Sequence, residues 1–146
     1  MKKKSKYIQR TKTTDPRGLI TTYGYGLIPP PKEEDPQVLF NDSPDAGKRY
    51  LLTDVSQKPH RRWNSRGFSY RHEYDDLQRS TELWVTPNGA SEYLAEKYVF
   101  GESEGAANNH RGQLYESFDQ AGKQVFEKYD FKGNLLQQER TFAQEF

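Results

Sequence analysis

The sequence predicts an all-β protein built from antiparallel hairpins, and three observations carry that prediction. The first is the kind of apolar residue used. Apolar side chains make up 32% of the 146 residues and mean hydropathy is −1.12, yet ten Tyr, eight Phe and two Trp supply much of that fraction. Aromatic rings with polar tips suit half-exposed pleated surfaces better than a deep aliphatic core. Second, short runs of alternating polarity sit between turn signals. Third, a turn motif with a fixed tyrosine offset recurs along the chain. So polar a chain would be a candidate for disorder if its net charge were large, but 22 Lys+Arg against 21 Asp+Glu leave only +1. One folded domain is the expectation at this length.

Taken in order, residues 1–12 hold Lys2, Lys3, Lys4, Lys6, Arg10 and Lys12 and no acid, and read as a basic, flexible arm. The arm could touch phosphate or anionic lipid. It contains no aromatic base-stacking platform, so nucleic acid is not an expected partner. Residues 13–146 read as the sheet, interrupted at 26–48 by a Pro-rich surface excursion. Pro29-Pro30-Pro31 and Pro36 exclude regular helix or inner strand there, with Val38-Leu39-Phe40 as the anchoring patch. The triple proline reads as a rigid spacer or as a ligand for aromatic-lined domains. Around Phe68 the alternation is clear, with Phe68, Tyr70, His72 and Tyr74 on one face. Residues 80–85 are β-rich and stop at Thr86-Pro87-Asn88-Gly89. Residues 114–118 run into the turn at Asp119. Residues 91–100 and 135–146 fit an amphipathic helix or a strand, and their strand-dense surroundings favour strand for both.

The repeat links three turns: Asp15-Pro16-Arg17-Gly18, Asn64-Ser65-Arg66-Gly67 and Asp119-Gln120-Ala121-Gly122. Seven residues after each glycine stands a tyrosine: Tyr25, Tyr74 and Tyr129. The second and third copies continue as Tyr74-Asp75 and Tyr129-Asp130 into new turns, the latter Asp130-Phe131-Lys132-Gly133-Asn134. Asp or Asn opens a turn by bonding its own backbone two residues on, and glycine supplies the positive φ that closes it. Because strand side chains alternate with period two, the three tyrosines are expected to point the same way. A hairpin of this kind cannot bury itself alone and must stack on its neighbours.

These residues resemble the YD-repeat of the Rhs family. The resemblance rests on Arg111-Gly112-Gln113-Leu114-Tyr115, the Asp119–Gly122 turn and Tyr129-Asp130-Phe131-Lys132-Gly133-Asn134. Trp63 to Phe68, Glu73-Tyr74-Asp75, Val99 to Glu102 and Arg49 to Pro59 carry it further upstream. The likeness is greatest to the Rhs-repeat region of the B component of bacterial insecticidal toxin complexes. It covers residues 12–146 and is most specific over 48–136. What it implies is structural: strung β-hairpins forming a curved sheet, a segment of a hollow shell that encloses a toxin cargo. A chain of 146 residues is too short for a whole shell, so a single piece of wall, an orphan or partial copy, is expected. The implied partners are other repeat segments or toxin-complex subunits, joined by β-edge pairing, with self-association a further consequence. The resemblance also implies a secreted or cell-surface setting, reached without a signal peptide of the chain's own.

The sequence argues against most chemistry. No apolar run approaches the roughly 20 residues of a membrane helix, and the absence of cysteine removes disulfides, thiol nucleophiles and cysteine-based zinc sites. The basic start lacks the apolar stretch of a signal peptide. His60, His72 and His110 lack metal-ligand spacing. Asp75 and Asp76 are adjacent, so in a strand they face opposite ways and cannot share a site. Rhs-type shells that cut themselves carry paired Asp-Pro-x-Gly tetrapeptides; only Asp15-Pro16-Arg17-Gly18 matches here, ahead of the repeats. No catalytic residue, cofactor or metal is therefore expected. The expected function is a non-catalytic shell segment. The alternative is a small module that presents Trp63, Trp84 and exposed tyrosines to carbohydrate or a partner protein.

Overall fold

A computed structural model describes residues 11–25 and 38–143. The basic stretch 1–10 and the proline-rich residues 26–37 lie outside the described residues. The chain is all-β: eleven strands follow one another in sequence order in one antiparallel sheet. Contacts divide it into two compact units, Met1–Ser69 with Pro87–Gly89, and Tyr70–Thr86 with Ala90–Phe146.

The first unit holds β1 (Lys12–Thr14), β2 (Ile20–Tyr25), β3 (Val38–Ser43), β4 (Gly47–Thr53) and β5 (Pro59–Asn64). Much of the stretch 38–48, which reads from sequence as part of a surface excursion, is thus a hairpin, with Phe40 opposite Tyr50 and Ser43 opposite Gly47. The sequence signal there is masked because Asn41-Asp42-Ser43 looks like a turn cluster. Pairing with β2 on one side and β4 on the other overrides that local preference.

Unit two runs through β6 (Ser69–Tyr74, whose first residue belongs to the first unit), β7 (Ser80–Thr86) and β8 (Tyr93–Phe100). It continues through a short 3-10 turn at Gly101–Ser103, then β9 (Leu114–Asp119), β10 (Gly122–Tyr129) and β11 (Leu135–Phe142). Both ambiguous segments, 91–100 and 135–146, supply strands rather than helices. Alternating apolar and charged residues on β8 and β9 place Val99 opposite Glu116 and Lys97 opposite Phe118, so polar and apolar rows interleave.

Very little of this is a core. Among the described residues only Val85, Tyr129, His110 and Gly101 are buried, and no side chain is completely enclosed. Tyr129 and His110 meet where the loop after the 3-10 turn folds against β10. Tyr129 N–H donates to the Asn108 carbonyl, Asn109 Nδ2 donates to the Tyr129 carbonyl, and the Tyr129 hydroxyl donates to the Leu114 carbonyl at 2.6 Å. The His110 ring packs on Tyr115 and Tyr129 with centroids 5.0 and 6.0 Å away.

Candidate functional site

The repeated feature of the molecule is a turn, which occurs five times among the described residues. It opens at Asp15, Asp54, Asn64, Asp75 and Asp130. In each, the backbone N–H of the opening residue donates to the carbonyl four residues on, and the N–H of the fourth residue donates back. The opening side chain accepts the remaining amides. Asp130 Oδ1 takes the N–H of Lys132 and Asn134 at 2.8 and 2.9 Å; Asn64 Oδ1 takes those of Arg66 and Phe68 at 3.0 and 3.1 Å. Asp15 and Asp54 do the same. The fourth residue always has positive φ: Gly18 at 82°, Gln57 at 65°, Gly67 at 80°, Gln78 at 62° and Gly133 at 83°. These side chains therefore complete the hydrogen bonding of the turn and leave the strands free to pair.

Electrostatics follow from that geometry. Backbone amides of Leu19 and Arg79, with the Arg17 and Arg79 side chains, hold the Asp15 and Asp75 carboxyls below the ordinary 3.8. Asn134 does so for Asp130, through its side chain first and its amide second. Arg79 also donates to Glu102, whose carboxyl is lowered as well, and lies 3.8 Å over the Phe100 ring.

The Asp119–Gly122 turn is of another kind. Asp119 pairs directly with Gly122 across a two-residue loop, and Asp119 Oδ1 accepts one backbone amide, that of Ala121, while the carboxylate also takes the Arg140 guanidinium. Gly122 opens β10 at φ 137°, with the Thr141 carbonyl oxygen in the space a side chain would need. The third turn is therefore grouped with the first two by spelling, not by conformation. Sequence reading missed Asp54 because Gln57 stands where glycine was sought. The shared feature is an acid or amide whose third follower sits at positive φ.

Tyr25, Tyr74 and Tyr129 each end their strands, β2, β6 and β10. The first two are half-buried and Tyr129 is buried. Strict alternation does not reach Tyr129, because Phe126 pairs with Gln138 and Lys128 with Gln137, leaving Glu127 as an extra residue. Bulges also repeat after two of the turns. Thr53 pairs with Pro59 and Leu52 with Arg61, while Tyr129 pairs with Leu135 and Lys128 with Gln137. In both, the register steps over the residue six after the turn aspartate, His60 or Leu136. The turn and its bulge form one structural unit used twice.

The fold as a whole has counterparts among solved structures. A crystal structure of TcdB2–TccC3 superposes with a TM-score of 0.65 at 18% identity, covering 90% of this chain and 8% of that one. The fold is shared with Tc toxin-complex chains. The Tc holotoxin pore of Photorhabdus luminescens gives 0.65 over 85% of this chain and 7% of that one, also at 18% identity. A TcdB2–TccC3–Cdc42 structure gives 0.64 at the same identity and coverage. The chain thus spans less than a tenth of the length of the solved chains it matches. No family model and no curated protein matches it.

The two tryptophans singled out for carbohydrate binding are in different situations. Trp84 donates its indole N–H to Glu82 at 2.8 Å and carries the Arg71 guanidinium over its ring at 5.1 Å. Arg71 is itself held by Glu92 and Glu73. Trp63 is 37% exposed. Among the described residues no group of three or more His, Asp or Glu side chains is placed to hold a metal. No helix there is long and apolar enough to cross a membrane.

Proposed function

We propose that this chain is a non-catalytic wall segment of a Tc-type, Rhs/YD-repeat shell, working by edge and face association with further β-segments. The observation that carries this reading is a sheet with almost no enclosed core among the described residues. Eleven strands bury almost nothing, whereas a sheet ordinarily gains stability by packing one face against another layer. Every residue of β11 is exposed, Leu135, Leu136 and Phe142 included, and β11 is the last strand of the sheet order. Such a strand offers a row of backbone donors and acceptors to another chain.

Size-exclusion chromatography with light scattering, across concentration and beside far-UV circular dichroism, tests this reading. A β-rich species whose mass rises with concentration supports it. Leu136→Lys with Phe142→Lys should return that species to monomer without loss of β signal. A wild-type chain that stays a stable monomer at all concentrations, and ignores added shell fragments, overturns it.

A further inference from the structure

The β4–β5 hairpin carries a feature the wall reading does not use. Residues 47–66 hold Lys48, Arg49, Lys58, Arg61, Arg62 and Arg66 against one acid, Asp54, which is committed to its turn. The described part of the second unit has the opposite balance, with thirteen Asp and Glu against eight Lys and Arg. Directly opposed residues of an antiparallel pair share a face. The register sets Tyr50 opposite Trp63 and Leu52 opposite Arg61. With Lys48 two residues before Tyr50, one face of the hairpin presents Lys48, Tyr50, Leu52, Arg61 and Trp63, all exposed. Tyr50 stacks at 5.3 Å on Phe40 of β3, which extends the aromatic row to a third strand. Asp42 lies opposite Lys48, but no ion pair among the described residues engages Lys48 or Arg61.

We propose that this face binds single-stranded nucleic acid, with bases stacked on Trp63 and Tyr50 and phosphates held by Lys48 and Arg61. Exposed rings on a sheet face, flanked by cations with no internal partner, offer a strand both things it needs: a π surface for bases and charge for its backbone. An acidic peptide would use the charge and leave the rings idle. Arginine adds a planar fork that fits phosphate oxygens. This function goes beyond the wall reading and stands or falls separately from it.

The test is titration of a labelled short oligothymidine by fluorescence anisotropy, using the full chain. A second titration uses Trp84→Phe, which leaves Trp63 as sole tryptophan reporter. Binding that quenches Trp63 emission is expected, with log K falling against log salt at a slope of about −1.4 for two phosphates at ~0.7 each. Trp63→Ala should weaken binding about tenfold or more. Lys48→Gln with Arg61→Gln should flatten the salt slope. Arg49→Gln, on the opposite face, should change affinity by less than about threefold. Far-UV circular dichroism shows that each variant is folded. If Trp63→Ala unfolds the chain, Trp63→Leu, which keeps apolar bulk but removes the ring, serves instead and should weaken binding by a similar factor. Absence of binding overturns the proposal. So does binding that survives the Trp63 and Lys48/Arg61 variants unchanged, which would place it on residues such as the basic stretch 2–12. Equal or tighter binding of a sulfated oligosaccharide or of anionic phospholipid vesicles, without quenching of Trp63, also overturns it.

Discussion

At the scale of single residues, the opening side chain of each turn is the one whose loss is most readable. Asn64 accepts two amides, so Asn64→Ala should cost about 1–2 kcal/mol in urea unfolding, while Asn64→Asp should be close to neutral because four sister turns use a carboxylate. Two glycines separate conformational freedom from space. Gly18 at φ 82° has nothing within 4 Å, so Gly18→Ala should cost about 1 kcal/mol. Gly122 combines positive φ with the Thr141 carbonyl and Phe142 backbone in the way, so Gly122→Val should cost about 3 kcal/mol or more. Titration gives a further check. Asp15, Asp75 and Asp130 have folded values below 3.8, so as the pH falls the unfolded chain takes up protons first. Their contribution is complete well above pH 3.8 and is lost as pH falls through and below it. Stability measured against pH should drop there, and the drop should shrink in Asp130→Asn. Tyr98 behaves in the reverse sense. Burial, then its hydrogen bond to Glu96, pushes its hydroxyl up to about 12. Its contribution is present below the ordinary value of 10.0 and fades as pH rises toward 12, so its phenolate should appear late in an ultraviolet titration, with Tyr129, whose hydroxyl burial also raises, late as well.

At the scale of elements, the loop between the 3-10 turn and β9 gives the second unit an enclosed cluster. It seats His110, 3% exposed, with Nε2 on the Phe126 carbonyl at 2.8 Å and Gly101 too close to accept a side chain. Tyr129→Phe removes the donor to the Leu114 carbonyl and should cost about 1 kcal/mol. His110→Ala should cost more, about 2–4 kcal/mol, because it also empties the space between two rings. Chemical denaturation of both variants would rank them. Segments 91–100 and 135–146 show how an element is chosen when periodicity is ambiguous. Leu135, Glu139, Phe142 and Phe146 fall near one helical face, yet β11 pairs along its length with β10. Backbone pairing with an existing edge outweighs a weak local helical pattern.

For the whole molecule, the notable quantity is how little is enclosed for how much sheet. No aliphatic core is enclosed among the described residues, and rings such as Tyr50, Trp63 and Phe142 stay exposed. This accords with a chain that matches less than a tenth of much longer Tc proteins. Charge is also distributed unevenly, basic on the β4–β5 hairpin and acidic in the second unit, although the total is only +1. Net charge therefore conceals the feature that would govern binding to a polyanion.

The sequence by itself determined the fold class, because aromatic-rich alternation and Asp- or Asn-opened turns are local properties, written within a few residues. It also determined that Asp75 and Asp130 begin turns, since the acid, the backbone it bonds and the residue at positive φ lie within four positions. Tertiary structure decided what depends on pairing. It set the strand at 38–43 despite turn-like spelling, and it separated the Asp119 turn from its look-alikes. It inserted Glu127 ahead of Tyr129, and it brought Tyr50 beside Trp63 across thirteen residues of chain. Register is the physical reason: one extra residue in a strand changes which side chains meet, and no local motif counts residues on the partner strand.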